Sequence, residues 1–331
     1  MKNAKRANEN LYVKRAKEMT SSAETIRAIV RETTGWSSVE SERIIIGMGN
    51  EVLRLTNPSN KNEHLVLRIH HKAHPEFYRE KWAFEEVAKK GVPVPTVLSI
   101  GTNSSDGNEL TYSLETALEG KTLDDLLTEG IGKSDKAHYT QMAGQILAKI
   151  HQVKTTGYGH FISDGAGPNK TLQEDKKMDE DISDMVVAAS NTKLTHKQVM
   201  RALEMIEHIT SDEEDQPHMV HCDYAPKHIF VHEGEITGII DFEICLSGVA
   251  ATDFNRWRAE ESRITMQELL IGYKQIRKLG SGFWETMYLI QMHSCMRTLL
   301  YHFRVTKDTV EISKAADELI TLLASKKPLF V

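Results

Sequence analysis

The rhythm of apolar and polar positions changes near residue 118. Before it, extended segments dominate. "ERIIIGMGNEVLRLT" reads as a strand, a glycine turn and a second strand, and "EHLVLRIHH" as a third, rich in branched residues. "VPVPTVLSIGT" and "LTYSLETAL" add two more extended stretches, the prolines suiting an entry or edge position. Two helices interrupt the pattern. Ser21 and Glu24 form a candidate capping box for a helix running to about Arg31. "EFYREKWAFEEVAKKG" is a helix closed by Gly91.

After "EGKTLDDLL" the period becomes helical. Tyr139, Met142, Ala143, Ile146, Leu147 and Ile150 fall on one stripe, as a helix with a single buried face requires. Thr195 with Gln198, and Thr265 with Glu268, are further capping boxes ahead of apolar runs. The clear strands of this half are "HIFVH" and "EITGIID", joined by a tight turn at Glu233-Gly234. The expected fold is therefore α+β and two-lobed: a small sheet lobe with an inserted helix over residues 1–118, and a mostly helical lobe over 119–331. A ligand site is expected in the cleft between them.

Composition narrows the function classes. With 331 residues, 40% hydrophobic and 27% charged, the chain has the make-up of a globular protein with ample core. A net charge of −6 without a basic block argues against a nucleic-acid partner. No run of roughly eighteen apolar residues is present, so no membrane span is expected. The charged beginning of the chain lacks an apolar signal core. Cys222, Cys245 and Cys295, odd in number and widely spaced, fit reduced thiols in the cytoplasm rather than a disulfide framework. Nothing in this pattern decides between a monomer and a homodimer.

The chemistry concentrates in "VHCDYAPKHIFVHEGEITGIIDFE", residues 220–243. Polar residues stand at both ends of a hairpin: His221, Asp223 and His228 before it, Asp241 and Glu243 after it. Phosphoryl transfer to a hydroxyl needs one carboxylate to take the hydroxyl proton, another to hold magnesium on the nucleotide, and a cation on the phosphates. Asp223, His228 and the returning Asp241 can supply the carboxylates and a further metal ligand, since magnesium keeps several waters and needs few protein atoms. The turn Gly47 to Asn50, including Gly49, can bring backbone N–H groups to phosphate. Arg68 is the candidate cation and Glu80 its counter-charge.

"HCDYAPKH…IIDFE" resembles the His-x-Asp-x-x-x-x-Asn…Ile-Asp signature of the aminoglycoside phosphotransferase family, small-molecule kinases with a protein-kinase-like fold. "VLRI", "REKWAFEEVAKKGVPVP", "LEGKTLDDL", "GQILAKIH" and "TGYGHF" follow in that family's order. Hygromycin phosphotransferases are similar through "FYREKWAF…VPVP" and "GKTLDDL"; macrolide phosphotransferases are similar through the arginine of "VLRI" and a histidine where most relatives have asparagine. The resemblance implies Asp223 as catalytic base, Asp241 as magnesium ligand with His228 beside it, Arg68 on the nucleotide phosphates and Glu80 as its ion-pair partner. It implies further that backbone near Glu115 to Ala117 receives the purine, and that Asp253 braces the catalytic loop. Three positions depart from the pattern: His228 for asparagine, Cys222 for glycine and Arg68 for lysine.

The implied reaction consumes a nucleoside triphosphate, ATP or GTP, with Mg2+, and phosphorylates a small hydroxylated acceptor: an aminoglycoside or macrolide, as in antibiotic resistance, or a metabolite. Other readings of the same residues are a metal-dependent hydrolase built on His218, His221, Asp223, His228 and His232, or a silent nucleotide-binding module. No activation segment of the protein-kinase kind follows Asp241. Simpler roles also exist: His221 orienting its loop, Cys222 as a small buried residue, and Glu243, Glu260 and Glu261 lining a pocket for a cationic or polyol substrate.

Overall fold

The computed structural model describes residues 20–45, 49–74, 76–105, 108–178, 181–210, 216–260 and 266–329. Gly47 and Thr265, and the structure of Glu261, lie outside these residues.

The first helix among the described residues, α1 (Ala23–Thr34), is capped by Ser22, whose hydroxyl accepts the Thr25 N–H. The cap is therefore one residue later than the Ser21–Glu24 box expected. Ser21 donates instead to Glu51, through N–H at 2.9 Å and hydroxyl at 2.7 Å. Five strands follow: β1 (Glu40–Ile44), β2 (Glu51–Asn57), β3 (Asn60–His70), β4 (Val97–Ser105) and β5 (Asn108–Thr116). They form one antiparallel sheet in the order β1-β2-β3-β5-β4, which leaves the proline-led β4 at an edge.

Strand alternation decides what this sheet offers. Leu65, Leu67 and Ile69 of β3 and Leu110, Tyr112 and Leu114 of β5 share one face and pack with Ile26, Ile29 and Val30 of α1. Each fully buried aliphatic side chain there contributes roughly 1.5–3 kcal/mol. Arg68 (β3) and its cross-strand partner Ser113 (β5), with Glu115 two residues on, necessarily face the other way.

Helix α2 (Glu76–Ala88), between β3 and β4, works for both halves of the molecule. Its Ala83, Phe84 and Val87 belong to the large core of the helical half rather than to the sheet's core. That half runs through β6 (Lys121–Thr122), α3 (Leu123–Glu129), α4 (Lys133–Ile150), α5 (Leu172–Asp175), α6 (Ile182–Ala189), α7 (His196–Ile206), β7 (His218–Val220), β8 (Ile229–His232), β9 (Glu235–Ile239), β10 (Leu246–Gly248), α8 (Ala251–Glu260), α9 (Met266–Lys274), α10 (Phe283–Tyr301) and α11 (Thr309–Ser325). The α4 stripe is as read: Ala143, Ile146, Leu147 and Ile150 are buried, with Tyr139 and Met142 packed at its margin. Thr195 and Gln198 form the expected capping box on α7.

Helices α4 and α9 cross with their backbones in contact. A Cβ on Gly144 would meet the Leu269 carbonyl oxygen at 2.1 Å, and one on Gly272 the Gln141 carbonyl oxygen at 1.8 Å. The β8–β9 hairpin turns where expected, with Glu233 (φ 49) and Gly234 (φ 89) both left-handed, as a two-residue hairpin turn demands. Three short strands were not expected. β7 pairs with β10, and β6 pairs with β8; two or three residues carry too little alternation to announce a strand. No helix among the described residues is long and apolar enough to cross a membrane.

Candidate active site

The catalytic-loop candidates hang on a buried carboxylate. Asp253, in the first turn of α8, accepts the amide of His221 at 2.8 Å and of Cys222 at 2.7 Å. Behind it, His151 places Nε2 3.0 Å from the same carboxylate and Nδ1 2.9 Å from the Tyr273 hydroxyl. Burial holds the His151 imidazole well below its ordinary pKa, so it is neutral. Its Nε2–H therefore donates to Asp253 and Nδ1 accepts from tyrosine. Burial raises the Asp253 carboxyl, opposed by its neighbour His221 and by the two amides.

His221 is treated the same way. Burial lowers its pKa, and its partners fix its tautomer: Nδ1 accepts the Asp223 amide at 3.2 Å, so Nε2–H donates to the Ile240 carbonyl at 3.0 Å. This histidine orients its loop, as one sequence reading held. Cys222, between them, has φ 68. A side chain in the left-handed region costs about 1–2 kcal/mol, a strain that glycine would avoid.

The hairpin returns Asp241 to this loop. The carboxylates of Asp223 and Asp241 and the ring of His228 converge, their candidate ligand atoms all within 4.8 Å of one another. His228 lies on a short 3₁₀ turn, Pro226–His228, with Nδ1 2.9 Å from the Asp223 carbonyl and Nε2 3.0 Å from Asp241 Oδ2. Asp241 itself has φ 71, a strained conformation for a residue with a side chain. Its burial would raise the carboxyl pKa, but the hydrogen bond and charge of His228, with Arg68 and His221, outweigh this and hold it below the ordinary carboxylate range. The hydrolase cluster does not assemble. His218 is buried with Arg277 and the Gln216 carbonyl, and His232 points toward Glu119 and Glu233.

Arg68 reaches across from the sheet. Its Nη1 donates to Glu80 at 2.5 Å and lies 3.5 Å from Glu115, while Nη2 donates to Glu243. The guanidinium also sits 5.2 Å above the Phe77 ring. Glu80 is buried, and its other oxygen accepts the Phe242 amide at 3.0 Å. Burial pushes the Glu80 carboxyl upward against the pull of Arg68, and for Arg68 the carboxylates overcome burial and raise its pKa. Two donors on Glu80's oxygens fit the ionised form, so geometry favours the charged pair.

Other expected positions are placed as follows. Asn50 donates to Glu243 at 2.5 Å, and a Cβ on neighbouring Gly49 would meet open space. The Ala117 amide donates to the His64 carbonyl at 3.3 Å, and the Glu115 side chain is turned under Arg68, accepting also from Ser113 at 2.6 Å. Sequence reasoning missed that last role, although the alternation of "TYSLE" puts Ser113 and Glu115 on one face. It also missed Arg256, whose Nε and Nη2 bind Asp223 Oδ1 at 2.7 and 2.6 Å. The signal was there: Arg256 follows Asp253 by three residues on one helix, so both face the loop. Lys227 stands 3.3 Å from the other Asp223 oxygen.

The chain is similar to known proteins in sequence and in fold. Hygromycin-B 4-O-kinase from Escherichia coli is 26% identical over 193 residues, 55% of this chain and 52% of that protein, so the chain spans about half the length of this curated relative. A thermostable mutant of aminoglycoside phosphotransferase APH(4)-Ia, solved as a ternary complex with ADP and hygromycin B, matches with a TM-score of 0.67 and 19% identity, covering 91% of this chain and 98% of that one. Macrolide 2'-phosphotransferase MphH from Brachybacterium faecium matches with a TM-score of 0.53 and 14% identity, over 89% of this chain and 98% of that one. At such identities these two structures speak for the fold, and the fold is the two-lobed α+β one expected. The model of the phosphotransferase enzyme family matches residues 42–275, and the chain belongs to that family.

Proposed function

We propose that this protein moves the γ-phosphoryl group of a nucleoside triphosphate to a hydroxyl of a small molecule. The observation that carries the reading is the convergence of Asp223, His228 and Asp241, with Arg68 and Glu80 tied to the same segment through the Phe242 amide. Asp223 is the base. Its Oδ1 holds Arg256, and Oδ2, 3.3 Å from Lys227 Nζ, is the oxygen that takes the hydroxyl proton. Arg256 and Lys227 fix the rotamer of the base.

The residues fit a magnesium ion: Asp241 stays ionised at neutral pH, it is a hard oxygen donor, and a second carboxylate and an imidazole lie beside it. Asp241 would ligate the ion directly and His228 through one of its waters, since magnesium prefers oxygen. When bound, the ion would supply positive charge to offset the charge developing on the nucleotide phosphates. Arg68 steadies those phosphates from the sheet side, with the glycine turn at Gly49 and Asn50 above them. Neutral His221 and buried Asp253 hold the loop and keep the base in register with the metal ligands.

Hygromycin B is the first acceptor to test, because the curated relative acts on it; a macrolide and simple polyols come next. ATP and GTP both enter the screen as donors. We place the enzyme in the cytoplasm with its cysteines reduced, and treat residues 1–118 and 119–331 as its two lobes. Asp223→Asn should retain magnesium-dependent nucleotide binding by calorimetry and lose turnover by about 10²–10⁴-fold. Unchanged turnover in that variant with a working acceptor overturns the assignment.

A further inference from the structure

The cation assigned to the nucleotide phosphates is already engaged. Around Arg68 stand Glu80, Glu115 and Glu243, and they are not equivalent. Glu80 and Glu115 are buried, their side chains 1% and 5% exposed, and both face Nη1. Glu243 is the more open partner at 16%, and among the described residues it takes Nη2 alone. The same carboxylate accepts from Asn50, beside the glycine turn, and lies 3.5 Å from His74 Nε2. Its backbone is anchored separately, with Arg79 Nη1 donating to the Glu243 carbonyl at 2.7 Å. Its side chain can therefore leave without moving the segment that carries Asp241.

We infer that the Glu243 carboxylate is an internal stand-in for a nucleotide phosphate: it holds the outward fork of Arg68 and the Asn50 amide in the free protein and is displaced when a nucleotide arrives. This inference rests on the proposed function only in taking Arg68 as the phosphate-side cation. A planar guanidinium offers its Nη2 edge to one planar or tetrahedral anion at a time. Glu243 and a phosphate oxygen therefore compete for one place. Release of Asn50 in the same step frees its side-chain amide. Glu243 is thus a positioning residue in the free state and an inhibitor of phosphate entry.

The test separates phosphate from base recognition. ADP and adenosine are titrated, with magnesium, into wild type and Glu243→Gln, and the melting temperature of each is taken with and without ADP. Glutamine keeps the shape and loses the charge. ADP should bind Glu243→Gln about tenfold more tightly, a difference of about 1.4 kcal/mol, while adenosine affinity is unchanged. The ligand-free variant should melt lower than wild type and gain more from ADP. Glu243→Asp, too short to span to Asn50, should shift ADP binding in the same direction. Equal or weaker ADP binding in both variants, or an equal gain for adenosine, overturns the stand-in. Failure of wild type to bind any nucleotide with magnesium would instead overturn the proposed function itself.

Discussion

The two sides of the cleft are built by opposite means. On the catalytic-loop side, the loop backbone is ordered by buried groups that are neutral or singly charged, His151, His221, Tyr273 and Asp253, each with its donors and acceptors assigned, and ion pairs enter at the Asp223 side chain that the loop carries. On the sheet side, order comes from full charges in contact, Arg68 with Glu80, Glu115 and Glu243. A buried hydrogen-bond network with one satisfied arrangement is hard to rearrange, because any loss leaves an orphan atom out of water. An ion-pair cluster open on one edge exchanges partners readily, since an incoming anion replaces what it removes. On the proposed function, the side that would hold the base is the fixed one, and the side that would admit and release phosphates is the exchangeable one.

The largest effect that could break this contrast is at Asp253. Asp253→Ala strips acceptors from two loop amides and from His151, and should lower folding stability by about 3–5 kcal/mol, read from urea midpoints. A loss below about 1 kcal/mol would show that the loop is not held this way.

Acid sharpens the contrast next. Burial depresses the His151 pKa in the fold, whereas the unfolded chain titrates near 6.5. Between those values the unfolded state binds more protons, so this histidine's contribution is full above pH 6.5 and falls as pH drops. The slope is about 1.4 kcal/mol per pH unit once well inside that window. Stability from urea melts should therefore be lower at pH 5 than at pH 7 by roughly 1–2 kcal/mol from His151 alone. A profile flat over that range would mean that His151 is not held neutral.

The smallest effect concerns Cys222. Because its φ is 68, Cys222→Gly should relieve strain and stabilise by about 0.5–1 kcal/mol, visible as a rise in melting temperature. A drop would mean that packing of the thiol outweighs the backbone term.

Local chemistry was legible in the sequence where it lies within a few residues. Glu233-Gly234 announced the hairpin, and the hairpin brought Asp241 to Asp223 and His228. Arg68 and Glu80 were paired correctly because strand and helix adjoin. What the sequence hid was long range or too short to have a period. Glu243 is 175 residues from Arg68, and no local pattern links them; as a lone carboxylate it read as substrate lining. Strands β7 and β10, three residues each, carry no countable alternation. Ser21 misled because two adjacent serines both fit a cap, and only the buried Glu51 decides which one is free to do it.

The contact between α4 and α9 has one more consequence. Where Gly144 and Gly272 meet, the separation of the helices is set by main-chain atoms touching main-chain atoms, not by side chains that can repack. His151 closes α4 and Tyr273 follows Gly272 directly, so the hydroxyl-to-imidazole span is measured from that contact. It works as a fixed gauge. Substitutions elsewhere in the core can swell or shrink their surroundings while the chain of atoms from Tyr273 through His151 and Asp253 to the loop keeps its length. A single methyl group at either glycine would reset the gauge, and the loop carrying Asp223 would be displaced by a change two helices away from it.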